Sequence, residues 1–405
     1  MSSRPIPAST GSRALTNARS AKQDEFYTQY VDIQKEVEAY LEFDPDTFRE
    51  KVVYCNCDDP FESNFFKFFA ANFNRLGLKK LISTSYNGSG IAGAQLTLDE
   101  YVHGAKSAPK PSAIALEIDE VTDLNGDGAT SIDDVRLFLE RNPHSRRRLV
   151  GGGDFRSTEC VELLKAADIV VTNPPFSLFS EYIALIIKHE KRFLVIGNTN
   201  SITYKDIFPS IKDNKVWLGC TNFNVGMFFE VPDHWESFHH IDESSGKKIA
   251  RVSTSCWFTN LDHGRRHEPL SLMSMSDNLR FKPRLNDTFT YKKYDNYDAI
   301  EVGEYKAIPC DYDGVMGVPV TFLDKYNPEQ FEILGTLESS DRQNAFRTRW
   351  YSSQDQKDAF FRRFGKKGSI PLNMSGVIND VKVYKRILIR KRRNNCQGAV
   401  NANYA

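Results

Sequence analysis

Residues 168–179 read Asp168-Ile169-Val170-Val171-Thr172-Asn173-Pro174-Pro175-Phe176-Ser177-Leu178-Phe179, and the reading of the fold turns on them. Asp168 to Val171 is a short, largely β-branched apolar run after a helix-like stretch, the pattern of a buried strand. The run stops at two prolines, which cannot continue a ladder and hold the chain extended or turned. A side-chain amide (Asn173), a fixed carbonyl (Pro174) and an aromatic ring (Phe176) are thereby set at the carboxyl end of a strand. In open α/β sheets that edge is where ligands bind. The trio suits an exocyclic amine on a planar base, whose lone pair is delocalised into the ring. Two acceptors taking its two N–H bonds favour a tetrahedral, electron-rich nitrogen in the transition state, while Phe176 stacks on the base. A Pro-Pro turn closing an ordinary strand would carry the same four residues, so the rest of the chain has to decide.

With 405 residues, 40% hydrophobic and 26% charged, the composition is that of a globular protein, and the length fits about two to three domains. Basic and acidic residues balance at 53 each, so global charge does not argue for a polyanion partner. Local basic clusters do: Arg146-Arg147-Arg148, Arg265-Arg266, Arg362-Arg363 with Lys366-Lys367, and Lys385-Arg386 with Arg390 to Arg393. The seven cysteines are scattered, odd in number and without a C-x-x-C pair, which reads as reduced thiols in a cytoplasmic protein. His263 and His267 have metal-like spacing without a partner pair and read as surface histidines. No apolar run approaches the ~18 residues of a spanning helix, so no membrane partner is expected.

Outward from the central stretch, the remaining elements arrange themselves as a βαβ series. Residues 1–20 read as a flexible arm. Tyr30 to Leu41 is an amphipathic helix. Lys51 to Asn56 is the first clear strand, ending in Cys57-Asp58-Asp59-Pro60; Ser63 caps a helix that Gly77 stops. The acidic turn suits a cationic or hydroxyl-bearing ligand and repels a pyrophosphate; with no G-x-G-x-x-G, a dinucleotide site is not expected. Lys80 to Tyr86 and Ala113 to Ile118 are strands. Between residues 113 and 140 lies Asp123-Leu124-Asn125-Gly126-Asp127-Gly128, followed by Ser131 and Asp134. Asp123, Asn125, Asp127 and Asp134 take positions one, three, five and twelve of a calcium loop, with Asp where a standard loop has Glu and no entering helix. An Asx-turn joining strand to helix is the alternative. Gly151-Gly152-Gly153 lets the backbone approach a ligand closely, and Asp154-Phe155 pairs an acid for an adenine amine with a ring to stack on it. Helix 181–187 and strand 193–196 follow. Phe228 to Val231 and Ser255 to Phe258 are expected to pair as an antiparallel hairpin at the sheet edge. From residue 271 the aromatic and charged residues mix and Gly and Pro become frequent, marking a second domain over 271–405.

The order of these features resembles that of the amino-methyltransferases, and more narrowly the EcoRI-type adenine-specific DNA methyltransferase family. The resemblance is carried by Asp24-Glu25-Phe26-Tyr27-Thr28-Gln29, by V-V-Y-C-N-C-D-D-P at 52–60 with Ser63-Asn64-Phe65, and by T-N-P-P-F-S at 172–177. Ile196 to Asn200, Gly314 to Pro319 and Asn327 to Phe331 extend it over roughly residues 20–395. It implies an α/β, class I (Rossmann-like) sheet over 21–270 that uses S-adenosylmethionine, and a smaller target-recognition domain over 271–405. It implies that Phe26, Tyr27 and Thr28 face the methionine end of the cofactor, that Asp58 and Asp59 lie near its amino group or ribose, and that Asp154 and Phe155 hold its adenine. Asn173, Pro174, Pro175 and Phe176 would hold a target adenine flipped out of double-stranded DNA. Tyr86 stands where an acid is expected at the end of the second strand. The implied enzyme is a monomer acting in restriction–modification or phage self-protection, with a cognate endonuclease as a further partner. An RNA amine or protein glutamine acceptor, and an inactive nucleic-acid- or calcium-binding module, are the competing readings.

Overall fold

The computed structural model describes residues 27–57, 63–86, 113–124, 132–142, 145–231, 235–236, 238–243, 245–281, 290–338, 341 and 344–392. The chain divides into two compact units, one of residues 1–201 and 216–263, the other of residues 202–215 and 264–405. The expected arm, Phe26, Asp58 and Asp59, and the middle of the acidic loop with Asn125 and Asp127, lie outside the described residues.

In the first unit the strands are β1 (Tyr27–Thr28), β2 (Val52–Asn56), β3 (Lys80–Thr84), β4 (Ile114–Ile118), β5 (Arg146–Arg148), β6 (Ile169–Thr172), β7 (Arg192–Asn198), β8 (Trp217–Leu218), β9 (Met227–Val231), β10 (His240–Ile241), β11 (Lys248–Val252) and β12 (Ser255–Thr259). Eight of them form a mixed sheet in the order β5-β4-β3-β2-β6-β7-β12-β8. Its centre, β3-β2-β6-β7, is parallel. The β4, β5 and β12 pairings are antiparallel.

All four residues of β6 are buried, because both faces are covered. Side chains alternate along each strand. Val53, Cys55, Leu81, Ile169, Val171, Leu194 and Ile196 enter one core, shared with Ile33 and Val37 of α1 (Tyr30–Phe43) and Phe65, Phe66 and Phe69 of α2 (Asn64–Ala71). Helix α2 starts at Ser63, whose hydroxyl accepts the Phe65 N–H at 3.1 Å. It breaks at Asn72 before a short turn, α3 (Phe73–Leu76), that Gly77 ends at φ 62°. Two further helices, α5 (Thr158–Ala166) and α6 (Phe179–Lys188), follow α4 (Ile132–Arg141) in the chain. On α6, Phe179 meets Phe258 with ring centroids 5.0 Å apart.

The expected hairpin of β9 with β12 does not form. The Lys248–Val252 run is a strand, and β9 pairs with it. β1, β9, β11 and β10 make a separate four-stranded sheet. Burial gives the reason. β9 alternates buried and half-buried, as a strand with one covered face does; β12 is buried throughout and inserts between β7 and β8. His263 is also corrected: it is 2% exposed, with Nε2 3.0 Å from the Leu218 carbonyl and its ring edge-on to Tyr40.

The second unit holds a four-stranded sheet, β13 (Ile300–Glu301), β14 (Met316–Pro319), β18 (Arg386–Lys391) and β15 (Phe331–Thr336) in that order, and a two-stranded hairpin of β16 (Val377–Ile378) and β17 (Val381–Lys382). Its helices are α7 (Phe208–Lys212), α8 (Met275–Phe281) and α9 (Ser353–Phe364). Asn379 and Asp380 at the hairpin tip both have positive φ, 50° and 60°, the conformation a tight two-residue hairpin turn requires and that Asn and Asp tolerate best after Gly.

Candidate active site

The strand order reverses direction at β2. From β2 the chain runs through α2 to β3 on one side, and β6 continues through α6 to β7 on the other. Such a switch point leaves a crevice outside the carboxyl ends of the two central strands, here Asn56-Cys57 and Thr172-Asn173. A buried polar network closes the floor of this crevice. The Thr172 hydroxyl donates to the Asn56 carbonyl. The Thr84 hydroxyl donates to Asn56 Oδ1 at 3.1 Å and lies 3.0 Å from the Tyr54 hydroxyl. Each of these groups would cost free energy if buried unpaired, so the network makes the ends of β2, β3 and β6 a rigid rim. Cys57, the next residue, sits at φ 65°, a left-handed backbone rarely adopted outside Gly, Asn and Asp and often found where function holds the chain in strain.

Above the rim come Asn173, half-buried, Pro174, buried, and Pro175 and Phe176, half-buried. Phe176 opens a short 3₁₀ turn and meets Phe229 of β9 edge-on, ring centroids 6.4 Å apart. β9 in turn carries β1: Thr28 lies opposite Phe229 and Tyr27 opposite Glu230. The Thr28 carbonyl accepts a 2.8 Å bond from Asn64 Nδ2, in the first turn of the helix that follows β2. Tyr27 and Thr28 are therefore brought to the rim by two independent ties, a strand ladder and a side chain of α2. The Thr28 hydroxyl is buried in a residue only 3% exposed and has no hydrogen-bond partner among the described residues. Buried hydroxyls are nearly always paired, and such an orphan at a crevice marks a place for a polar ligand atom.

The Gly151–Gly153 loop reaches the same edge from the side of β3. Its glycines serve the protein's own backbone: a Cβ on Gly153, at φ 75°, would stand 1.9 Å from the Ser85 carbonyl oxygen, and one on Gly151 would stand 2.7 Å from Ser157 Cβ. Close approach is what the glycines provide, but to the end of β3 and to the α5 cap. The next residue, Asp154, is clasped by Arg156: Nε and the backbone N–H reach Oδ1 at 3.0 and 2.8 Å, and Nη2 reaches Oδ2 at 2.7 Å. The Arg156 bonds hold the Asp154 carboxyl below its ordinary range. Arg156 also reaches Glu181 of α6 at 3.0 Å. Three donors leave a carboxylate with roughly one of its four acceptor positions open. Phe155 is 3% exposed and packs edge-on against Tyr182 at 5.0 Å, anchoring the loop in the core. Tyr86, two residues past β3, is 40% exposed. Of the residues singled out from the sequence, Tyr86, Asp154, Phe155 and Asn173 to Phe176 lie along the carboxyl edge of the eight-stranded sheet, and Tyr27 and Thr28, in the four-stranded sheet, are tied to it through Phe229 and Asn64. Asn56, Asn64, Arg156, Thr172 and Phe229 join them; Asn56, Asn64 and Thr172 lie within stretches that carry the resemblance, while nothing local in the sequence marks Arg156 and Phe229.

The acidic loop does not assemble a metal centre in what is described. Asp134 is buried and its Oδ1 accepts the N–H of Leu124, ten residues earlier in the chain, at 2.8 Å. Among the described residues no group of three or more His, Cys, Asp or Glu is placed to hold a metal ion, and calcium finds no support. No helix among them is long and apolar enough to cross a membrane.

An amide, two prolines and an aromatic ring thus stand together at the switch point of a mixed α/β sheet. The family model described as "Adenine-specific methyltransferase EcoRI" matches residues 14–392, and the chain belongs to that family; it is an adenine-specific methyltransferase. The Type II methyltransferase M.EcoRI of Escherichia coli is 44% identical over 327 residues, 80% of this chain and 88% of that protein. M.MgeORF184P of Mycoplasma genitalium is 34% identical over 388 residues, 94% of this chain and 99% of its own length. M.MpnI of Mycoplasma pneumoniae is 36% identical over 327 residues, 80% of this chain and 85% of its own. No solved structure matches the chain.

Proposed function

We propose that this protein methylates the exocyclic N6 amine of adenine at a specific site in double-stranded DNA, drawing the methyl group from S-adenosylmethionine bound on a class I methyltransferase sheet. The observation that carries the reading is Asn173-Pro174-Pro175-Phe176 at the carboxyl end of β6, beside the switch point and beside β1. Family membership and the Type II relatives support it. The donor set fits that cofactor: the orphaned Thr28 hydroxyl awaits a polar partner, and Asp154 retains an acceptor position for an adenine amine. Phe26, Tyr27 and Thr28 hold the methionine end, Asp58 and Asp59 the amino group or ribose, and Tyr86, Asp154 and the loop anchored by Phe155 the adenosine end.

S-adenosylmethionine supplies a methyl group made electrophilic by its sulfonium. The protein's part is alignment and exclusion of water, which in-line transfer needs more than acid–base groups. Asn173 Oδ1 and the Pro174 carbonyl accept the two N–H bonds of the flipped adenine and turn its nitrogen lone pair out of the ring plane. Pro174 and Pro175 fix the backbone so that this carbonyl needs no reorganisation, and Phe176, braced by Phe229, stacks on the base. The enzyme works as a monomer, in restriction–modification alongside an endonuclease for the same site or in self-protection without one.

The test is transfer of labelled methyl from S-adenosylmethionine to duplex DNA, with RNA and protein acceptors in parallel. Label in DNA as N6-methyladenine is the expected result. Label appearing only in RNA or protein sinks the DNA reading while leaving the methyltransferase assignment intact.

A further inference from the structure

The chain as a whole is neutral, yet between Arg349 and Arg386 nine lysines and arginines stand against three aspartates. The structure sorts eight of these cations into two sets; the ninth, Lys357, is exposed in the body of α9. One set is used inside the second unit. Arg349 pairs with Asp355 at 2.8 Å, Lys385 with Glu338 at 3.5 Å and Arg386 with Glu301 at 2.6 Å. Arg362 grips both oxygens of Asp380 at 2.8 and 2.9 Å, fastening α9 to the tip of the β16–β17 hairpin. The other set, Arg363, Lys366, Lys367 and Lys382, is exposed and has no acidic partner among the described residues.

The frame that carries the second set is stiff. Ser352 and Asp355 form a reciprocal capping box at the start of α9, and Gly365 ends the helix in the left-handed conformation. Ala359 and Phe360 pack with Tyr351, Ile370, Leu372 and Val377 in a small core of their own. Rings stand open beside the cations: Phe361 is 59% exposed and Phe364 49%, with the Arg363 guanidinium 5.1 Å from the Phe364 centroid. Solvated cations without acids, interleaved with open rings, form the electrostatic footprint of a polyanion site. Their placement on a helix end and a pinned hairpin, not on a flexible tail, favours a stiff polyanion.

We infer that the carboxyl end of α9, with the β16–β17 hairpin pinned to it, is a contact surface for the phosphate backbone of duplex DNA, made by Arg363, Lys366, Lys367 and Lys382 and covered by Phe361 and Phe364. The inference rests on the DNA-methylating reading above. It assigns positioning, not base choice, to this surface, because phosphate contacts carry no sequence information. Each phosphate neutralised adds about 0.9 to the slope of log affinity against log salt.

The test uses the full chain and a fluorescein-labelled duplex of mixed sequence. The variant Arg363→Ala/Lys366→Ala/Lys367→Ala should bind more weakly than wild type at low salt. That difference should shrink roughly 40-fold between about 50 and 200 mM salt, as expected for three lost phosphate contacts. S-adenosylmethionine binding and the melting temperature should not change. A control losing the same charge elsewhere, Lys35→Ala/Lys188→Ala/Lys212→Ala, should keep the wild-type salt slope. Identical slopes for the Arg363 triple variant and wild type overturn the inference, provided wild type methylates DNA in the same preparation; so does tighter wild-type binding to single-stranded RNA than to the duplex. A wild type that neither binds nor methylates duplex DNA overturns the functional reading itself.

Discussion

Strand β6 carries an acid at one end and an amide at the other, and the two ends do opposite work. At the amino end, Asp168 Oδ2 accepts the Val52 N–H at 2.8 Å, completing a ladder that the neighbouring strand leaves short. At the carboxyl end, Thr172 does the equivalent stitching to Asn56, one residue before the chain breaks into Asn173-Pro174. The hydrogen-bonding needs of the rim are thus met one layer beneath Asn173 to Phe176, the proposed site. The comparison teaches that position along a strand, more than residue type, separates a polar group that holds the sheet from one set at the crevice.

The largest effect should come at the carboxyl end. Asn173→Ala removes one of two acceptors from the amine and should lower turnover by roughly 10²–10³-fold, the scale of losing one preorganised transition-state partner. Calorimetry should show S-adenosylmethionine binding little changed. Retained turnover in the labelled-methyl assay would break the comparison outright.

Next is Glu36, which ties α1 to the loop before β9 and so holds β9 against β1. Its carboxylate accepts the Cys220 N–H at 2.7 Å and the N–H and hydroxyl of Thr221 at 2.8 and 2.6 Å. Burial pushes its carboxyl up to about 7, against these bonds, which favour the charged form. A carboxyl raised on folding contributes stability that is complete below its ordinary value of 4.5 and is lost as pH rises through about 7. Melting temperature should therefore fall between pH 5 and pH 8, by an amount worth at most ~3 kcal/mol. Glu36→Gln should be less stable than wild type at the lower pH and should flatten that dependence. A variant as pH-sensitive as wild type would show that another group is responsible.

Thr28→Val separates ligand from fold. Replacing a buried hydroxyl that has no partner among the described residues with a methyl should raise the stability of the free protein by about 1 kcal/mol and weaken S-adenosylmethionine binding about five- to tenfold. Stronger binding would remove Thr28 from the cofactor site. The smallest effect is expected at the amino end. Asp168→Ala should cost about 0.5–1 kcal/mol in denaturant unfolding, since its carboxylate is solvent-exposed, and leave turnover unchanged. A large fall in turnover would mean that the two ends of β6 are not independent.

Much of the first unit was legible locally. β6 was marked by its apolar run and prolines, the start of α2 by Ser63, the end of α3 by Gly77, and the proposed Asn173–Phe176 site by its place after a strand; each signal lies within a few residues of what it specifies. The pairing of β9 with β11 was not legible, because strand pairing is a long-range choice and the K-I-A-R-V run carries charges that hide it. The glycines at 151–153 were legible as a close approach, but their partner was not: Ser85 lies far away in the chain. His263 and the acidic loop misled for the same reason, since spacing alone does not show whether a side chain meets a metal, a carbonyl or water. In the second unit the basic clusters were visible, yet Arg386 and Arg363 looked alike until Glu301 was found beside one of them.

The sequence by itself determined the α/β class, the strand β6 that carries the proposed site and the chemistry of the four residues that end it. These follow from periodicity, from proline's missing N–H and fixed φ, and from functional groups that a residue carries wherever it is placed. Only the tertiary structure decided that the Thr28 hydroxyl is buried with no partner among the described residues, that Asp154 is held by Arg156, and which cations of the second unit are left facing solvent. Those are properties of pairs, and a pair between distant residues exists only once the chain has folded.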